Sequence, residues 1–344
     1  MVDNHPSDKR VQDPRDINDF SVPDRVARGE DLIVQFGESG YSPELLTQLN
    51  ELCKTSEGKL EIRFYGHHNT EFDCSVLSYI PDVRYLSIET QETSNLHTLS
   101  CLHHLCGLAL RIYYLENPNI LDLVDLANLE ELSLDETRIS NLDLQYLSSC
   151  PKLRSLHIHG HKKNIEVVSL LSQISYLALS GMKQVPLGFV NSLPILRMLN
   201  IHTGGRKDIL EIDNQNIQVL LITRVLGLSE LGDLGRFPKL TRIGIWEQKQ
   251  LDEINFSEAN VNVEDIQAWI CKSLSAIRGL KYLDHLYSID IRQTSIDFHS
   301  FIQHEFPTSL TEFSFSTGRI RADREIRNIL QENGYEDYRL KSYT

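Results

Sequence analysis

Long apolar runs are missing from this chain. No stretch approaches the ~20 apolar residues that span a bilayer. The first 30 residues, crowded by Asp3, Asp8, Lys9, Arg10, Asp13, Arg15 and Asp16, hold no apolar core of a secretory signal. Membrane insertion and export by that route are therefore not expected. Positive charge is also in deficit: 34 Lys and Arg stand against 48 Asp and Glu, a net charge of −14. A nucleic-acid binder needs a basic stripe to displace phosphate counterions, so that class is not expected either. A basic protein partner suits the acidity, although net charge also serves solubility alone. Cys53, Cys74, Cys101, Cys106, Cys150 and Cys271 form no CxxC pair and no terminal cluster. They read as small hydrophobes in a reducing cytoplasm. Signatures of phosphate loops, dinucleotide loops, zinc proteases and serine hydrolases are absent, and no cofactor is expected.

One pattern fills the space these absences leave. L-x-x-L-x-L recurs as VRYLSI from Val83, LCGLAL from Leu105, LEELSL from Leu129 and LRSLHI from Leu153. It continues as ISYLAL, LRMLNI, IQVLLI and LTRIGI, and returns as LYSIDI and LTEFSF. Its middle apolar residue falls at 86, 108, 132, 156, 177, 199, 220, 243, 289 and 313, in steps of 21 to 24 with one of 46. The double step predicts a degenerate copy near 266, where VEDIQA stands, and KLEIRF adds another around Ile62. That makes about twelve units with a period near 23.

Spacing of two within the motif means a short strand with one buried face. Between copies the apolar residues come every third position, as in Leu96, Leu99, Leu102 and Leu105. That rhythm keeps one face inward only if the backbone winds near three residues per turn. Each unit is thus a strand plus a tight return, and only stacking buries its leucines. The chain resembles leucine-rich-repeat proteins of the short, internalin-like kind over about residues 60 to 316. The resemblance implies an α/β solenoid, a horseshoe with a concave parallel β-sheet and a 3₁₀ or irregular convex side. It also implies asparagine, sometimes Cys or Thr, three residues after the last strand leucine. Here those positions hold Gln91, Tyr113, Thr137, His161, Met182, Gly204, Val225, Gln248, Thr294 and Gly318, so no asparagine ladder is expected.

Both ends of such a stack need caps. LIVQF, a helix opening at Ser42-Pro43-Glu44 and KLEIRF predict an N-terminal strand–helix–strand cap over 32–66. The repeat array then runs over 67–316. A helix over Arg321 to Glu332, with Gly334 just beyond it, predicts a C-terminal cap over 317–344. Residues 1–31, with few apolar groups, read as a flexible polar tail. Neither an F-box nor a ubiquitin-ligase domain is expected in the short segments outside Leu32–Ser316, and the last 28 residues contain no Cys.

On a concave sheet the residues beside and between the strand leucines point outward and escape the demands of packing. That face carries Tyr176, Met198, Val219, Leu221 and Trp246, flanked by His159, His202 and Arg242. Exposed aromatics with Met and Arg are the residue types of interface hot spots. Its first half carries Glu89, Glu131 and Asp135, with only Arg111 expected to oppose them, which suits a basic partner. His157 and His159 point the same way. His159 and His202 are two strands apart, roughly 9–10 Å, and no carboxylate is expected beside them, so a metal is not expected. The adjacent pairs His67-His68 and His103-His104 diverge. The expected function is a non-catalytic, cytoplasmic protein-interaction module with its partner on the concave face. An immunity- or inhibitor-type protein that occludes a toxin or enzyme is one alternative. A metal-dependent enzyme using the histidines is another.

Overall fold

The computed structural model describes residues 9–37, 40–66, 70–135, 137–138 and 141–336. It divides into two compact units, residues 1–171 and 172–344, and each is taken by itself. His67 and His68, residues 1–8 of the expected tail and residues 337–344 of the expected C-terminal cap lie outside the described residues.

The first unit is a parallel sheet of seven strands. In order these are Arg10–Gln12, Leu32–Gly37, Leu60–Gly66, Tyr85–Thr90, Gly107–Ile112, Glu131–Leu134 and Ser155–His159. Neighbours pair with motif leucines in step, as in Ile62 with Leu86, Leu86 with Leu108, and Leu132 with Leu156. These leucines and Ile62 are buried. The returns are 3₁₀ segments, among them Cys74–Tyr79, Leu96–Cys101 and Leu144–Ser149. Their every-third-residue rhythm puts Leu77, Leu99 and Leu147 fully inside. Ahead of them the helix Pro43–Thr55 starts where Ser42 Oγ accepts from the Leu45 amide. It buries Leu45, Leu46, Leu49 and Cys53.

The expected tail needs correction over its described part. Arg10–Gln12 adds a strand parallel to Leu32–Gly37, and Val22–Ala27 is a short helix. Val11, Val22 and Val26 are buried. Three valines suffice because the strand takes its hydrogen bonds from an existing sheet edge, so little additional apolar area is needed to hold it.

The second unit has seven parallel strands of its own. They are Tyr176–Ser180, Met198–His202, Val219–Thr223, Arg242–Trp246, Asp265–Trp269, Ser288–Arg292 and Glu312–Ser316. The degenerate copy is real: Ile266 pairs in register between Ile243 and Ile289 and is fully buried. Strand exits share one device. The residue after each of six consecutive strands has positive φ: Gly181, Thr203, Arg224, Glu247, Ile270 and Gln293. In each, the amide still donates to the carbonyl that ends the next strand, for example Glu247 N to Trp269 O at 2.7 Å and Ile270 N to Arg292 O at 2.7 Å. At the far end Phe298, Phe301, Phe306, Phe313, Phe315 and Tyr335 form one aromatic cluster. The helix Ile320–Glu332 packs Ile326 and Leu330 inward.

The ladder position is filled by other chemistry. His161 is buried, with Nδ1 accepting from the Leu142 amide and Nε2 bonded to the Asp135 carbonyl at 2.9 Å. Gln248 Nε2 donates to Trp246 O at 2.9 Å, and the Cys271 thiol donates to Ile245 O and Trp269 O. Two asparagines work from a different place, three residues before a motif. Asn214 Nδ2 donates to Val190 O and Leu193 O, and Asn260 Nδ2 to Leu234 O. The turns are therefore held without an asparagine ladder.

Candidate functional site

The candidate residues divide between the units. In the first, Glu131, His157 and His159 lie on the sheet face opposite the leucines, and Asp135 follows directly after the strand Glu131–Leu134. They come with an alternating row of charges. Arg63 holds Glu89 with two nitrogens, at 3.0 and 2.7 Å, and also reaches Gln35 Oε1 at 2.9 Å. Arg111 bridges Glu89 at 3.1 Å and Asp135 at 2.8 Å. The Lys59 ammonium pairs with Glu131 at 2.5 Å and sits 4.8 Å from the centre of the Tyr85 ring. The expectation that only Arg111 opposes these acids is thus corrected. Lys59 and Arg63 lie in the degenerate KLEIRF motif, and their reach, one strand for Arg63 and three for Lys59, neutralises the patch. The argument for a basic partner at Glu131 and Asp135 falls with it.

The histidines there are engaged as well. His157 Nδ1 lies 3.0 Å from Ser133 Oγ, and His159 Nδ1 lies 3.7 Å from Asp135 Oδ1. A carboxylate does stand beside His159, contrary to expectation, because paired strands bring the end of one motif against the end of the next. Among the described residues no three His, Cys, Asp or Glu side chains are placed to hold a metal ion. His202 belongs to the other unit.

In the second unit Tyr176, Met198, His202, Leu221 and Trp246 are all half-buried on the corresponding face, and Arg242 is exposed. Register sets their neighbours. Tyr176 pairs with Met198 and His202 with Thr223, while Leu221 sits opposite Gly244 and Trp246 opposite Trp269. The two indoles stack with centroids 5.2 Å apart and planes at 20°. Arg292 lies over the Trp269 ring at 4.6 Å, while its guanidinium grips the buried Asp290 at 2.9 and 2.5 Å. Beside them Arg242 Nε holds the buried Asp265 at 2.7 Å, and Gln267 Nε2 donates to the same oxygen at 2.9 Å.

Trp246 was expected to be freely exposed. It instead lies back across Gly244. A Cβ at Gly244 would stand 3.0 Å from Trp246 Cζ2 and 2.9 Å from Leu221 Cδ2. Only glycine leaves room for the ring. The indole Nε1 of both tryptophans is shielded and has no hydrogen-bond partner among the described residues. Each shielded N–H costs about 1–3 kcal/mol, against about 0.5–1.5 for the stack. The two unpaired N–H groups therefore offset part of what burying and stacking the rings contributes. Trp269 and Arg292 belong to this cluster but were missed as candidates. Their outward positions were legible, and the column formed by pairing 246 with 269 and 269 with 292 was the signal.

Comparisons with known proteins agree with this architecture. Residues 80–220 match a family model described as "FBD-associated F-box protein At5g56370, LRR repeats". No curated protein sequence matches the chain. Among solved structures, Toll in the Drosophila Toll–Spatzle complex is 14% identical with a TM-score of 0.57, covering 83% of this chain and 40% of that one. A leucine-rich-repeat protein of Leptospira interrogans is 16% identical, with a TM-score of 0.48 and coverage of 89% and 90%. Internalin C2 of Listeria monocytogenes is 17% identical, with a TM-score of 0.38 and coverage of 71% and 83%. At such identities the likeness is one of fold, and the Toll comparison carries it. Repeat spacing, parallel register, 3₁₀ returns, the family match over residues 80–220 and the Toll comparison converge on a leucine-rich-repeat fold.

Proposed function

We propose that the protein is a non-catalytic binding module of the cytoplasm, and that it holds a protein partner on the sheet face around Trp246 and Trp269. The observation that supports this most is the stacked pair of tryptophans, with Arg292 and Arg242 beside it. It occupies positions the core does not use and leaves two indole N–H groups unpaired. Trp and Arg dominate interface hot spots because they combine apolar area with directional donors. Tyr176, Met198 and Leu221 extend the surface within the same unit. The free cysteines suit a reducing compartment.

These are the chain's only two tryptophans, so intrinsic fluorescence reads the site directly. A partner captured by the intact protein should shift that emission. Trp246→Ala and Trp269→Ala should each weaken capture by at least about thirtyfold, the equivalent of ~2 kcal/mol, while the array stays folded. Full-strength binding by a folded double variant would refute the assignment.

A further inference from the structure

A second surface lies just past the strand exits of the same unit. A cavity of about 420 Å³ opens there, lined by Arg224, Leu226, Glu247, Lys249, Ile270 and Lys272 among others. Two features of its lining have no use in the core. Leu226 is 69% exposed and Ile270 39% exposed. Ile270 is moreover held at φ 58°, a left-handed conformation that β-branched residues seldom adopt. The same turn position carries Gly181, Arg224, Glu247 and Gln293 in other units. Thr203, the other β-branched residue in the series, has its hydroxyl bonded to His202 O and to the Gly181 amide. Ile270 has no such hydrogen bond, and more than a third of its surface faces solvent. An apolar group kept in a strained place while partly exposed, beside the still more exposed Leu226, points to a ligand.

The charges around the cavity say which kind. Arg224 and Glu247 pair at 2.7 Å and cancel. Lys249 and Lys272 have no carboxylate within ion-pair reach among the described residues, so the lining carries a net +2 in a chain of net −14. We propose that this groove binds an acidic peptide segment of a partner protein, with an aliphatic or aromatic side chain seated between Leu226 and Ile270 and carboxylates on Lys249 and Lys272. This does not depend on the sheet-face site: it uses different side chains and the opposite charge preference from the one the chain's acidity suggests.

The test uses the full chain and a fluorescein-labelled decapeptide of Glu and Asp around a central Leu-Phe pair. Two counterparts accompany it, one with Lys for every acid and one with Ser-Ser for Leu-Phe. The acidic apolar peptide should bind, more tightly than either counterpart, and should weaken as salt rises. Lys249→Glu combined with Lys272→Glu should lose at least about tenfold in affinity, and Leu226→Ser about tenfold. Ile270→Gly should weaken binding while the melting temperature holds or rises, because glycine relieves the turn. Trp246→Ala should leave peptide affinity unchanged, which separates failure here from failure of the sheet-face site. The proposal is overturned if the Lys peptide binds as well, if no peptide binds at millimolar concentration, if charge reversal in a folded protein changes nothing, or if Ile270→Gly destabilises the fold.

Discussion

Substituting Gly244 by Ala should unseat Trp246. The added Cβ would lie 2.9 Å from Leu221 Cδ2 and 3.0 and 3.2 Å from two atoms of the indole. Carbon atoms prefer about 3.5–4.0 Å, so something must move by ~0.5 Å or more. Leu221 is half-buried and can turn aside. The indole is held between Gly244 and Trp269, so its escape is outward, and outward motion opens the stack. Overpacking of this kind costs about 1–3 kcal/mol. The alanine returns about 0.4–1 kcal/mol by restricting the unfolded chain. The net loss of ~1 kcal/mol should lower the melting temperature by about 2–4 °C. Gly188 provides the control in the same unit: a Cβ there would meet nothing within 4 Å and its φ is not positive. Gly188→Ala should therefore leave the melting temperature unchanged or raise it slightly. Calorimetry gives both shifts. Circular dichroism gives the geometry, since two stacked indoles produce an exciton couplet, and Trp246→Phe should abolish it. If Gly244→Ala melts like Gly188→Ala and keeps a full couplet, the ring does not rest on Gly244 and the reasoning fails.

Thiol reagents should separate the cysteines. Burial pushes Cys53, Cys74 and Cys150 up to about 12 and Cys271 to about 11, so at pH 8 these four should resist alkylation until the protein unfolds, while half-exposed Cys106 reacts first, as mass spectrometry of partly labelled protein would show. Asn214→Ala should cost about 2–4 kcal/mol in denaturant titrations, because it leaves the Leu193 carbonyl and the Asn216 amide without a partner and strips the Val190 carbonyl of one of its two donors; a loss under ~0.5 kcal/mol would show that water replaces the amide. Asp82 is held below the ordinary aspartate value of 3.8, first by the Asn50 amide at 2.8 Å and then by Lys54. Its folded pKa is the lower one, so its stabilisation is present above about pH 4 and disappears as pH falls through the folded value. Asn50→Ala should accordingly flatten the acid limb of the melting-temperature profile, and an unaltered limb would remove Asp82 from the account.

What could be read before the structure follows from which residues repeat. Ile266 was placed by arithmetic alone, because register is enforced twenty-odd residues at a time by neighbours that must stay in phase. Arg10–Gln12 was invisible for the converse reason: one buried valine in three residues has no period, and its partner is an edge that only the fold creates. Lys59 and Arg63 escaped because the charge reading followed outward positions within the regular motifs, whereas long cations reach from one to three strands along the sheet to find a carboxylate. The face around Trp246 was legible as a set of residue types. Its arrangement was not, since the stack depends on what stands opposite each residue across the sheet. The ladder substitutes could not be anticipated as a class either. An imidazole, a carboxamide and a thiol meet the same need at His161, Gln248 and Cys271, and no single residue type announces it.

The left-handed exits carry a consequence for how such a chain can change length. Each six-residue block in the second unit, from strand start to left-handed turn, is the same size, and its amides pair with the equivalent positions of the next block. The steps between strand starts nevertheless run from 21 to 24 residues. All of that variation is taken up on the return path. Insertions of one or two residues near Gly188–Ser192 or Glu258–Asn260 should therefore be absorbed locally. A single residue inserted within Arg242–Trp246 would turn the rest of that strand's leucine side outward and put its own exit out of phase with both neighbours. The array has a fixed clock on one side and an elastic margin on the other, and new sequence can enter only through the margin.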